Sequence, residues 1–216
     1  KGKYTRAQEQ FDYIVMNNPG TRIAIDAQHY LAECMFNNKN YVEATTEYVK
    51  YIRWSDNLDK IEASRYKICK CAILSSETYQ KDQGETLQAL SLLQEFIDEY
   101  PGSIFRDPAE KFVIEIRNKL AKKEYEAGRL YLKLEEYQSA IIYFEGLLYE
   151  FYDTDFADRA HVAIVFAYFL NNEIEKAKLY LEKNHNNISS EIELKNAYSI
   201  IKSNNTSMDN FKQLYR

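Results

Sequence analysis

The stretch Tyr137-Gln138-Ser139-Ala140-Ile141-Ile142-Tyr143-Phe144 decides how this chain folds. Residues three and four apart share one face of a helix, so Tyr137, Ala140 and Phe144 form a stripe of ring, notch and ring. Two antiparallel helices approach closely where one offers a small side chain and the other a ring to fill the space beside it. The device recurs as Tyr4-Ala7-Phe11, Tyr41-Ala44-Tyr48, Ala89-Leu93 and Ile174-Ala177-Leu181. Two of the alanine intervals, 7 to 44 and 140 to 177, are 37 residues each. Twelve residues beyond the alanine stands Pro19 in one copy and Pro101 in another, with Asp56, Tyr152 and Ser189 at that offset in the rest. Proline ends a helix because it lacks the amide hydrogen and its ring clashes with the preceding turn.

The segments ahead of these stripes agree. Gly128 and Tyr131 precede Tyr137, Leu31, Ala32 and Met35 precede Tyr41, and Tyr168 precedes Ile174. Each unit reads as helix, short turn, helix, with turns at Asn37–Asn40, Lys133–Glu136 and Asn171–Asn172. Repetition at this period resembles the tetratricopeptide repeat and covers nearly the whole chain. The expected fold is all-α: a superhelix of about five helix-turn-helix units with a C-terminal capping helix.

In that layout Lys1–Pro19 is the second helix of a first repeat, followed by repeats over Thr21–Ser55, Asp56–Pro101, Gly102–Tyr152 and Asp153–Asn187. The third carries a polar loop at Thr78–Thr86, and the fourth a long first helix opening near Pro108, a residue suited to a first helical turn. Ser190-Glu191-Ile192-Glu193 reads as a capping box that opens the terminal helix. We divide the chain into residues 1–101, residues 102–203 and a polar tail, 204–216, with fraying expected after Ser203.

Composition excludes several classes. Acidic residues outnumber basic ones 33 to 28, and the net charge is −5. A phosphate-backbone binder needs clustered Lys and Arg, whereas Lys119, Lys122 and Lys123 are interleaved with acids. The longest apolar run, Val162–Leu170, is about half of a membrane span. Cys69 and Cys71 lie two apart, about 200° around a helix axis, and cannot grip one metal together; with Cys34 they read as packing residues. His29, His161 and His185 have no ligand-spaced partners. No phosphate loop, nucleophile elbow or His-Glu-x-x-His motif occurs, so neither catalysis, a cofactor nor a metal is expected. Nineteen tyrosines and eleven phenylalanines suit helices packed through rings, or a surface that grips peptides.

A closer resemblance runs from Phe96 to Leu181. Tyr100-Pro101-Gly102-Ser103, Arg117, Leu120-Ala121-Lys122-Lys123-Glu124-Tyr125, Tyr137-x-x-Ala140 and Glu145-Gly146-Leu147-Leu148 are similar to the BamD (YfiO) family of outer-membrane assembly lipoproteins. The resemblance implies a scaffold on the periplasmic face of the outer membrane, lipid-anchored upstream of Lys1. Its C-terminal repeats would dock on the periplasmic domains of a β-barrel insertase, its N-terminal repeats would receive unfolded outer-membrane proteins, and accessory lipoproteins are further candidate partners. Where some family members carry a basic residue just before Glu145-Gly146, this chain has Tyr143-Phe144, so an aromatic contact would stand in for an ion pair. A tetratricopeptide adaptor of another envelope, secretion or signalling complex would share the fold and lack the anchor.

The first helices of such repeats line the concave face. Projecting the repeat phase puts Asp26, His29, Glu33 and Phe36 there as a client-peptide groove. On the insertase-docking side it puts Lys122, Tyr125 and Arg129, then Arg159, Val162, Phe166 and Phe169, with Leu132 also in phase; Tyr143 and Glu145 join this side through the resemblance. The Phe166-Phe169 stripe is either buried by a neighbouring helix or offered to a partner.

Overall fold

The computed structural model describes residues 2–76, 79–80 and 83–202. They form ten α-helices and one 3-10 turn, with no strand among the described residues. The helices are α1 (Gly2–Asn17), α2 (Arg22–Asn37), α3 (Tyr41–Trp54), α4 (Leu58–Ser75), α5 (Gly84–Glu99), α6 (Arg106–Lys133), α7 (Tyr137–Glu150), α8 (Ala157–Leu170), α9 (Ile174–Asn184) and α10 (Glu191–Lys202); the 3-10 turn, His185–Asn187, follows α9. The all-α repeat expectation matches this order. Two compact units divide the chain, Lys1–Ile116 and Arg117–Arg216, so the division falls inside α6.

The notch alanines explain the regularity. Ala44, Ala89, Ala140 and Ala177 are wholly buried, as are the large side chains four residues on, Tyr48, Leu93, Phe144 and Leu181. The helices that carry Ala7, Ala44, Ala89 and Ala140 end at Asn17, Trp54, Glu99 and Glu150, ten residues past the alanine in each case. For Ala177 the 3-10 turn carries the coil to the same offset, Asn187. Proline follows only two of these ends, so the stop belongs to the packing geometry, and proline reinforces it.

Three turns share one backbone conformation. Lys39, Glu135 and Asn172 have φ of 68°, 61° and 59°. The amide after each donates to the carbonyl five residues back: Asn40 to Met35, Glu136 to Tyr131 and Glu173 to Tyr168. This closure satisfies carbonyls that a helix end leaves open. The carbonyls of Asn40, Glu136 and Glu173 then accept from the amides of Ala44, Ala140 and Ala177, which launches the second helix.

Helix starts are capped by chemistry readable in the sequence. Thr21 Oγ1 accepts from the Ala24 amide at 3.2 Å and Asn57 Oδ1 from the Lys60 amide at 3.0 Å. At α10, Ser190 Oγ accepts from the Glu193 amide at 3.3 Å, the first half of the expected capping box. Gly84, Glu85 and Thr86 belong to α5, because that helix runs five residues ahead of its notch at Ala89. The polar loop expected over Thr78–Thr86 is therefore shorter at that end, and its Lys81 and Asp82 lie outside the described residues, as does the tail from Ser203 onward.

In the second unit α8 is the centre, packed by α7, α9 and α10. Every residue from Ala160 to Ala167 is buried. A helix that is apolar all round is one enclosed on all sides.

Candidate functional site

The four residues of the expected client groove all lie along α2. Their surroundings differ from expectation, because α4 runs beside them and supplies a matching row. Lys60 Nζ reaches Asp26 at 3.3 Å, Ser64 Oγ meets His29 Nδ1 at 3.3 Å, and Lys67 Nζ reaches Glu33 at 2.9 Å. The sequence separations are 34, 35 and 34, so equivalent positions of successive repeats face each other rung by rung. Lysines from α4 thus balance both carboxylates.

The rungs are stiffened from below. Tyr48, fully buried on α3, donates its hydroxyl to Glu33 Oε1 at 2.5 Å, and Lys67 Nζ lies 4.4 Å from the centre of the Phe36 ring. His29 sits against Tyr51, ring centroids 4.9 Å apart, and edge-on to Tyr30 and Tyr48. Burial, foremost, lowers its pKa; Lys60 and Lys67 push the same way against Glu33 and Asp26. The imidazole is therefore neutral at pH 7, a polar aromatic tile between charged pairs. Asp26 is exposed, while His29, Glu33 and Phe36 are half-buried. The row offers alternating charge pairs, a hydroxyl and ring faces, a surface suited to backbone amides and apolar side chains in alternation.

In the second unit the expected docking residues separate into two sets. Tyr125, Phe166 and Phe169 are buried, 5%, 1% and 2% exposed, and cannot meet a partner directly. Tyr125 packs between Phe144 at 5.6 Å and Phe156 at 5.5 Å, and burial pushes its phenol up to about 12. Val162 is buried with them. For the α8 residues the reason is that this helix is packed by α7, α9 and α10, so a residue that points away from one helix points at another.

The second set reaches the surface. Arg159 and Glu145 are exposed, and Lys122, Arg129 and Tyr143 are half-buried. Arg129 pairs with Glu126 at 3.0 Å on its own helix, Arg159 lies 5.5 Å from the Phe156 ring, and Tyr143 stacks on Tyr131 at 4.9 Å.

Sequence reasoning missed two arrangements here. Arg117 Nε and Nη2 fork onto Asp153, the shortest contact 2.6 Å, while Nη2 also donates to the Glu150 carbonyl at the end of α7. Asp158 accepts from the Ser189 amide, the Ser189 hydroxyl and the Ser190 amide at 3.1, 2.9 and 2.8 Å, so α8 holds the start of α10. The signal for both was the repeat offset, since each partner lies 31 to 36 residues on.

Burial pushes the Cys69 thiol up to about 12, which removes the thiolate, and its Sγ donates to the Leu92 carbonyl. Among the described residues no three His, Cys, Asp or Glu side chains gather to hold a metal ion, and no helix is long and apolar enough to cross a membrane.

The chain is 26% identical over 181 residues to the outer membrane protein assembly factor BamD of Rickettsia prowazekii, covering 83% of this chain and 72% of that protein. It is 22% identical over 178 residues to the factor of the same name from Caulobacter vibrioides, covering 82% of this chain and 58% of that relative's length. Residues 1–183, from α1 through nearly all of α9, match the model of the YfiO outer membrane lipoprotein family. The chain, with its buried alanine notches and its paired row along α2 and α4, belongs to the YfiO family of outer membrane lipoproteins.

Proposed function

We propose that this chain is a scaffold of outer-membrane β-barrel assembly, binding the periplasmic domains of the barrel insertase and receiving unfolded outer-membrane proteins. The observation that carries the reading is the family match over residues 1–183, which spans the repeats of both units. The relatives' name, assembly factor, supports it. The role is non-enzymatic, in keeping with that family. Association with the outer membrane follows from the family too; a lipid anchor upstream of Lys1 is the proposed means, with accessory lipoproteins as further partners. The match favours this over an adaptor of a different complex, which would share only the fold.

Within the proposal, residues 1–101 are the client side, with the row of Asp26, His29, Glu33 and Phe36 as its groove. Its alternating pairs and rings suit an extended peptide, whose backbone seeks hydrogen bonds and whose side chains alternate in direction. Residues 102–203 are the insertase side. Its contacts fall to the accessible residues Lys122, Arg129, Tyr143, Glu145 and Arg159, while Tyr125, Phe166 and Phe169 hold the helices that present them.

Co-purification from cells expressing the full-length protein tests this. Reversing two charges on the first helices, Lys122→Glu with Arg159→Glu, is expected to lower recovered insertase by about tenfold, since rim charges act through complementarity, while circular dichroism stays native. A photo-crosslinking residue at Phe36 is expected to capture unfolded outer-membrane protein, and one at Val42, exposed on α3, to capture none. An intact insertase complex in the double variant refutes the docking side; capture at both positions alike refutes the groove.

A further inference from the structure

Within the second unit a groove of about 540 Å³ opens between α7 and α9. That is room for a long side chain and its flanking backbone, against ~30 Å³ for a water molecule in bulk. Two rings form its lip: Tyr149 is 86% exposed and Tyr152 73%. Rings so exposed leave aromatic surface open to a ligand. The floor is fixed, since buried His161 shares a 2.8 Å hydrogen bond through Nδ1 with the Tyr180 hydroxyl, and burial lowers the imidazole pKa so that it carries no charge at pH 7.

Among the lining residues Glu145 therefore brings the ionised group. Two acids at the start of α9 behave differently: Glu173, the residue before the helix, pairs with Lys176 at 2.7 Å and Glu175 with Lys178 at 2.8 Å. Among the described residues no lysine or arginine pairs with Glu145, and no cation lines the groove. Its carboxylate also raises the phenol pKa values of Tyr168 and Tyr180, secondary to burial in both, so the negative charge is felt at the groove wall. A carboxylate beside open ring faces is complementary to a flat cation.

We propose that this groove receives an arginine side chain from a partner polypeptide, the guanidinium forking onto Glu145 and lying against the rings of Tyr149 and Tyr152. Arginine fits better than lysine because its planar head matches a carboxylate with two parallel bonds, stacks on aromatic faces and is weakly hydrated. The inference rests on the docking reading for the partner being a protein, and adds the chemistry that the partner brings.

The test uses the full chain, tyrosine-labelled for aromatic NMR, titrated with Nα-acetyl-arginine methylamide and with its citrulline counterpart, which keeps the shape and loses the charge. Tyr149→Phe and Tyr152→Phe assign the two lip signals. The arginine probe is expected to shift both, with citrulline and the Glu145→Gln variant each weakening binding by about tenfold or more. Glu145 is exposed, so Glu145→Gln is expected to melt as the parent does. Equal shifts from citrulline, unchanged binding in Glu145→Gln, or shifts outside the groove alone overturn the site. Because the probe needs no insertase, a silent groove removes this inference and leaves the docking reading to its own charge-reversal test.

Discussion

Gly128 and Gly146 invite the same substitution with opposite outcomes. Both lie inside helices, α6 and α7, where alanine is favoured over glycine by about 1 kcal/mol. A methyl group on Gly128 would stand 2.6, 2.7 and 2.9 Å from three carbons of the Phe144 ring, against the ~3.5–4.0 Å of a normal carbon contact. The ring edge must retreat by roughly 1 Å, yet Phe144 is wholly buried and Tyr125 packs on it at 5.6 Å. Overpacking costs about 1–3 kcal/mol, and a ring this fully buried argues for the upper end. After the helical gain, Gly128→Ala should lose about 2 kcal/mol. Gly146 has nothing within 4 Å of the added carbon, so Gly146→Ala should gain about 0.5–1 kcal/mol. At ~2–4 °C per kcal/mol for a chain of this size, the first variant melts about 4–8 °C lower and the second about 1–4 °C higher. Urea unfolding with unchanged m-values would assign both shifts to the folded state. In a Phe144→Leu background the Gly128→Ala penalty should vanish, since the obstructing ring is gone. A stabilised Gly128→Ala in the parent would refute the notch-and-ring account of these hairpins.

Two further substitutions test the contacts between neighbouring repeats. The Arg117 guanidinium beside Asp153 holds its carboxyl below the usual carboxylate range; a depressed folded pKa means stability present above the unfolded value near ~3.9 and lost as pH falls through the folded one. Asp153→Asn should therefore cost about 1 kcal/mol at neutral pH, discounted for the exposure of Asp153, with the gap to the parent closing in acid; a gap equal at both pH values in urea titrations would exclude the charge as its source. Asp158→Ala removes the acceptor of three hydrogen bonds at the start of α10 and should cost about 2 kcal/mol, with amide exchange accelerated at Ala197 and Ile200 before α7 is affected. Uniform acceleration across the unit would show that α10 is not held there.

What the sequence disclosed was local, and what it withheld spanned a repeat. Ala44, Ala140 and Ala177 could be found because their partners lie three or four residues away and recur at one interval. Ser190 could be placed as a cap because its partner, the Glu193 amide, lies three residues away. The left-handed residues Lys39, Glu135 and Asn172 fell in segments marked as turns, but three different side chains occupy one conformation, so residue type alone did not announce it. Phe166 and Phe169 were the ambiguous case. The unbroken apolar run from Val162 to Leu170 already said that this stretch of α8 is enclosed, and projecting repeat phase onto it treated it as amphipathic. The α4 lysines escaped because the groove was read one helix at a time; stepping 34 residues from Asp26 and Glu33 lands on Lys60 and Lys67.

That 34-residue step also bears on how the proposed client row along α2 and α4 would hold a peptide. In a stack of repeats each unit contacts its neighbours, so side chains that pair across the interface do two things at once. They join adjacent hairpins, as Glu33 with Lys67 and Arg117 with Asp153 do, and they fix the spacing at which the next rung presents its polar groups. In the proposed groove, neutralised pairs such as Asp26 with Lys60 would then offer an incoming peptide dipoles and ring faces at a regular interval, with little net charge to select one sequence. On the proposed reading, a surface of that kind would receive many extended clients, whereas the Glu145 carboxylate, which no lysine or arginine pairs among the described residues, would take one side chain of one partner. The proposed division between broad reception and specific docking would then follow from which acids pair with a lysine on the neighbouring helix, as Asp26 and Glu33 do, and which, like Glu145, do not among the described residues.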